Sequence, residues 1–257
     1  MLALASTPFN EIERAFYKST AGVLYVIGVI GLWGKIPVYG QSLGQQISWG
    51  LVLEILFHIS FIASFTCYLI SLWIEWPAFR ARSFAATVLT GIVGLLLSTQ
   101  SFFNAPILSV ETVVYSSTFF LSAMLLGSVT VGMLMGHWYL IDTGQSLAPF
   151  IRLYKFFVGS LIAQCVLFTL APLALYYLGN TASVNNLERL WQFHPTLTII
   201  RIVAGQGAPL VLSWMIWRTL LIPHTMAATG LFYIALLGVF VGEILGRQIL
   251  ALTALPF

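Results

Sequence analysis

Seven long stretches of this chain carry almost no charge, and each runs to about twenty residues or more, the length needed to cross the hydrocarbon core of a bilayer. Inside lipid the backbone must satisfy its own hydrogen bonds, which leaves helices or a closed barrel. The runs are far longer than the roughly 9–11 residues of a barrel strand, so they read as helices. Bounded by polar and turn residues, they fall at 20–39, 48–73, 83–104, 113–140, 153–178, 195–217 and 225–252. Composition agrees: 7% of residues are charged and mean hydropathy is +0.95, against about 25% charged in a soluble domain. The expectation is an all-α, polytopic transmembrane helical bundle of seven or eight spans with short connections, residues 1–257 forming a single integral membrane domain. The longest connection, Gly179 to His194, is where a surface feature has room.

Glu11, Glu13, Arg14 and Lys18 precede the first apolar run, and no small-residue cleavage site follows it, so the start reads as an uncleaved leader. Lys and Arg are distributed unevenly. Arg14, Lys18, Arg80, Arg82, Arg152, Lys155 and Arg218 fall on one side, against Lys35 and Arg189 on the other. The excess places the amino terminus in the cytoplasm and, after seven spans, the carboxyl terminus outside the cell's inner (cytoplasmic) membrane.

With that orientation the polar residues inside the runs form a layer in the outer half of the membrane. At 1.5 Å per residue, Glu54 lies about 9 Å and His58 about 15 Å below the start of the second span. Gln100 and Asn104 close the third span, Arg201 and Gln206 occupy the outer half of the sixth, and Glu243 and Arg247 lie at a similar level in the seventh. Lys35 ends the first span there, as a snorkelling or capping residue. An acid and a base inside lipid are a functional hypothesis by default, because each alone costs roughly 2.5–3.5 kcal/mol at mid-helix. Glu243 and Arg247, four residues apart, share a helix face, as do Glu54 and His58. Arg201 requires an acid partner, either Glu54 or Glu243.

A quinol headgroup suits such a layer. Its oxidation releases two protons and two electrons, so a site needs a base near one hydroxyl, a hydrogen-bond partner for the other and an apolar slot. Glu54, tuned by an adjacent arginine, and His58 are the proton acceptors, and Gln100, Arg201, Gln206, Glu243 and Arg247 complete the quinone-binding set. The two cysteines, Cys67 and Cys165, both lie in apolar runs and offer no four-cysteine cluster site. Any iron-sulfur cluster would belong to a partner.

The segment GEILGR, Gly242 to Arg247, resembles the GE-x-x-GR signature in a late helix of the NrfD/DmsC-type membrane anchors of dimethyl sulfoxide reductase and polysulfide reductase complexes. The resemblance implies a respiratory membrane subunit without a redox cofactor of its own, binding menaquinol near the outer face and passing electrons to an iron-sulfur or multihaem subunit docked there. It carries Glu243 and Arg247 over directly, and an acid or histidine of an early helix, Glu54 or His58, by analogy. The signature covers one helix of seven, and the family commonly has eight spans.

Two other readings stay open. A b-type cytochrome would use histidine ligands, for which His58 and His137 are the candidates, although they stand roughly 15–20 Å apart along the membrane normal by helical rise. His137 lies in GHWYLID, Gly136 to Asp142, whose Trp138 and Tyr139 suit an aromatic belt. A proton-coupled transporter would show a discontinuous helix, and Ala204 to Pro209 in the sixth run, AGQGAP, is the stretch where one would break.

Overall fold

The structure is a computed structural model that describes residues 1–7, 9, 11–45, 48–102, 108–142, 144–222 and 224–257. Asn104, read above as closing the third span, lies outside the described residues. The protein is all-α and multi-pass: among the described residues seven helices are long and apolar enough to cross a membrane, and short connections join them.

After a short amino-terminal helix, α1 (Leu2–Ala5), come α2 (Arg14–Gln45), α3 (Trp49–Ser71), α4 (Pro77–Leu97), α5 (Val110–Ile141) and α6 (Ala148–Leu178). An amphipathic helix, α7 (Thr181–Phe193), fills the long connection. The sixth span is built from α8 (Pro195–Ile202), a π-helical turn (Val203–Gly207) and α9 (Ala208–Leu221), and α10 (Thr225–Thr253) is the seventh.

Local chemistry sets several boundaries. Ser48 caps α3 by accepting from the Leu51 N–H at 3.1 Å, and Ser109 caps α5 by accepting from Thr112 N–H at 3.2 Å. Pro77 opens α4 at a position where its missing N–H costs nothing. Several spans begin earlier than hydropathy alone suggests, because a helix can extend beyond the lipid into the interface, where polar and charged residues are tolerated. Arg80 and Arg82 therefore sit in α4, and Arg152 and Lys155 in α6, not in the connections. Their long stems let the charges reach the interface.

The sixth span is continuous. The expected discontinuity at Ala204 to Pro209 is a π turn, in which the Ala208 N–H bonds to the Val203 carbonyl. The widened turn accommodates Pro209 just inside α9, where a regular α-turn would force its ring against a preceding carbonyl.

The helices divide into two compact units. Residues 9–101 form the first, which holds α2, α3 and α4, with α3 and α4 packed along their lengths. A cluster of rings closes one end of it: Phe9 lies against Tyr17 at 4.4 Å, and Tyr68 against Phe84 at 5.2 Å. Residues 2–8 and 102–257 form the second unit, in which α10 packs against α5, α8, the π turn and α9. Its apolar core joins Val114, Ala171, Leu175, Leu187, Leu190, Ile249, Leu255 and Phe257. Leu187 and Leu190 are the buried stripe of α7, while Glu188, Arg189 and Trp191 face outward. After Thr253 the chain turns back through Ala254, whose φ of 56° is left-handed, and buries Leu255 and Phe257 in that core.

Candidate functional site

Each unit holds a buried polar cluster that includes residues singled out in the sequence. In the first, Glu54 points inward from α3 and is only 7% exposed. One carboxylate oxygen accepts from the Lys35 ammonium at 2.6 Å and from the Tyr39 hydroxyl at 3.0 Å, and the other accepts from the Gln100 amide at 2.9 Å. Lys35 also donates to Ser98 Oγ at 2.7 Å. Lys35 is thus the counter-charge of Glu54, not merely a snorkelling helix end. Stability in lipid requires such a partner, and an aliphatic stem on α2 is long enough to bring it.

His58 sits one turn further along α3. Its Nδ1 is 2.8 Å from the Glu54 backbone carbonyl and 3.4 Å from the Tyr39 hydroxyl. A carbonyl only accepts, so Nδ1 carries the proton and Nε2 presents its lone pair. The nearest partner of Nε2 is Ser98 Oγ at 3.5 Å, and that hydroxyl also has the Gly94 carbonyl at 2.9 Å to donate to. The cluster therefore presents a carboxylate and an imidazole lone pair one turn apart, with the Tyr39 hydroxyl donating to the first and the Ser98 hydroxyl beside the second.

Gln100 reaches Glu54 because residue 50 is glycine. A Cβ on Gly50 would collide with the Gln100 amide, so even Gly50→Ala must push that amide away.

In the second unit the centre is Arg201, 2% exposed and the largest of the fully buried side chains. Its Nη2 pairs with Glu243 at 3.2 Å, which decides between its two candidate acids. The Gln164 amide donates to the same Glu243 oxygen at 2.8 Å and lies 3.1 Å from Ser122 Oγ, so α5, α6, α8 and α10 all meet here. Arg247 shares a face with Glu243, but its guanidinium lies over the Phe119 ring, 4.0 Å from the centroid. That contact spreads positive charge over an electron-rich face instead of adding a second cation to one carboxylate.

This geometry gives the GEILGR segment a physical meaning. A Cβ on Gly242 would stand 2.7 Å from Arg201 Nη1, and one on Gly246 would stand 3.1 Å from Arg201 Nε. The two glycines are the floor on which the guanidinium lies. Across from them, a Cβ on Gly205 would come within 2.9 Å of the Gly242 Cα, so the π turn and α10 pack backbone to backbone. Gly242→Leu should overpack this crossing and lower stability by about 1–3 kcal/mol or more, read as a fall in the thermal unfolding midpoint in detergent. An unchanged midpoint would contradict the packing described.

The residues read from the sequence are thus sorted into two sets. Glu54, His58 and Gln100 share one cluster with Lys35 and Tyr39. Arg201, Gln206, Glu243 and Arg247 belong to the second unit, where Gln206 accepts from the Cys165 thiol at 3.0 Å. Of the two alternative haem ligands, His58 has Nδ1 engaged in the first unit and His137 is exposed near the end of α5 in the second. Among the described residues no group of three or more His, Cys, Asp or Glu is arranged to hold a metal ion.

Some buried polar residues give little sequence signal. Glu111 is 5% exposed in α5, where it accepts from the Asn180 N–H at 2.7 Å and so fixes the turn between α6 and α7. It stands at the start of its helix and carries no periodicity that marks it as buried. Tyr39 and Gln164 look like ordinary interfacial and glue residues until their partners are known.

Comparison with known protein families, with curated proteins and with solved structures finds no match to this chain.

Proposed function

We propose that this polytopic membrane protein is the quinol-binding subunit of a respiratory redox complex. The observation that supports the reading most is the first cluster: a carboxylate and an imidazole one turn apart in a membrane span, joined through Tyr39 and flanked by the donors Lys35 and Gln100. Structural packing needs one counter-charge for Glu54. It does not need an imidazole with a nearly free Nε2 beside it.

A quinol supplies two electrons and two protons on oxidation. Glu54 takes one of these protons, its carboxylate held in place by the Tyr39 hydroxyl. His58 takes the other on Nε2, and Nδ1 keeps its own proton on the Glu54 carbonyl. Lys35 and Gln100 orient the carboxylate and offer donors to a ring oxygen. The residues fit a neutral ring bearing two oxygens, because the cluster presents both donors and acceptors and its fixed charges, Lys35 and Glu54, cancel. Electrons leave to an iron-sulfur or haem partner docked on the outer face, the side to which the seven-to-two distribution of basic residues orients the polar ends of the spans. The GEILGR resemblance points the same way.

The test is an optical spectrum with a pyridine haemochrome assay on the chain purified in detergent, alongside extraction of bound quinone. Co-purified quinone without haem is the expected result. Stoichiometric b-haem would overturn the reading in favour of a cytochrome, with His58 and His137 as the first ligands to replace.

A further inference from the structure

The second unit contains a cavity that the proton-accepting cluster does not use. Its volume is about 420 Å³, within the roughly 300–1,000 Å³ of small-molecule sites. Phe168 of α6, Leu187 of α7 and Phe257 form apolar walls, the half-exposed Trp191 of α7 and Leu210 of α9 lie at the rim, and no charged side chain lines it. Phe257 also lines the small void beside Arg201 and Glu243, so the one residue borders both the apolar cavity and the ion pair.

One polar side chain is out of balance there. Gln206 lines the cavity and is 5% exposed. Its amide oxygen accepts from the Cys165 thiol at 3.0 Å, while its amide nitrogen has no hydrogen-bond partner. A buried donor left without a partner costs about 1–3 kcal/mol, so the site calls for an acceptor. Depth narrows the choice. Gln206 is eleven residues beyond Pro195, about 16 Å along the helix from the outer end of its span, and so well inside the interface. Phospholipid ester carbonyls stay at the interface, and acyl chains carry no acceptor. A neutral, flat lipophile with a ring carbonyl meets every condition: apolar walls, no charge and one donor at depth.

We propose that this cavity is a second quinone site, in which a ring carbonyl accepts from Gln206 Nε2 and the isoprenoid tail leaves between α7 and α9. The proposal rests on the quinol-linked reading and adds a site in the second unit to the proton-accepting cluster in the first.

The test is photolabelling of the intact purified protein with an azido-quinone, with and without a short-chain naphthoquinone competitor, followed by peptide mapping. Competable label on the peptides bearing Cys165 to Pro172, Leu187 to Trp191 or Gln206 to Leu210 is expected. Gln206→Leu should cut it by about tenfold, in line with loss of one buried hydrogen bond. Leu210→Trp changes a rim residue that is 40% exposed, narrows the cavity without touching Gln206, and should cut the label as well. Glu54→Gln should leave it in place. Competable label confined to peptides around Glu54 and His58, or cavity label unaffected by both variants, would overturn the second site and leave the quinol-linked reading standing. Cavity label displaced by phospholipid but not by the naphthoquinone would make it a lipid groove. Absence of competable label anywhere would remove both.

Discussion

Glu54→Gln is expected to lower quinol oxidation by about 10²–10⁴-fold, the range over which a positioned general base acts, while the complex still assembles. Glutamine keeps the shape of the side chain and can still accept at one oxygen, so Tyr39 or Lys35 retains a partner. What it loses is the capacity to hold the quinol proton. Assembly survives because Lys35 is about one-third exposed and also donates to Ser98 at 2.7 Å, so its charge is not stranded. The measurement is turnover with a quinol and an artificial electron acceptor, set against the amount of assembled complex. Normal turnover by assembled protein would remove Glu54 from the site. His58→Gln should fall in the same range, because it deletes the Nε2 lone pair.

Arg201→Leu and Glu243→Leu act on the other cluster, and stability is where their effect is largest. Removing one member of a buried pair leaves the other charge without compensation, at a cost of roughly 3–5 kcal/mol. Arg201 has the least room to escape, at 2% exposure and with glycine backbone on two sides. Each single variant should express poorly and unfold at a markedly lower temperature in detergent. The double variant Arg201→Met with Glu243→Leu removes both charges and should recover most of the loss. If the single variants are as stable as the parent, the pair is not what holds α8 to α10. Loss of quinol turnover in the recovered double variant would then show that the pair also serves the chemistry.

Hydropathy identified the spans because lipid forces a helical backbone to bury its own hydrogen bonds, and that constraint is written in consecutive residues. The ends of the spans were less legible. Arg80 and Arg152 lie within helices because hydropathy reports where lipid begins, not where the helix does. The pairing of charges was legible only as a set. Glu54 could be recognised as needing a cation, but Lys35 is nineteen residues away on another helix, and only the rotation of α2 against α3 selects it over Arg201. The same holds for Arg201 and Glu243, forty-two residues apart. Gly242 and Gly246 stood out by their spacing, yet their use as the floor beneath a guanidinium from another helix depends on packing that no periodicity encodes. The run of small residues around Gln206 marked where a helix would break, but the span continues there through a π turn closed by one backbone bond, Ala208 to Val203.

The central claim is that Glu54 accepts a proton when quinol is oxidised. Electrochemically induced infrared difference spectroscopy on the purified protein with added quinone tests it most directly. The expected spectrum contains a carboxylic-acid carbonyl band that appears on quinol oxidation and is missing from the Glu54→Gln variant. A quinone redox signal with no carboxyl band, or with a band that survives the substitution unchanged, would contradict the assignment.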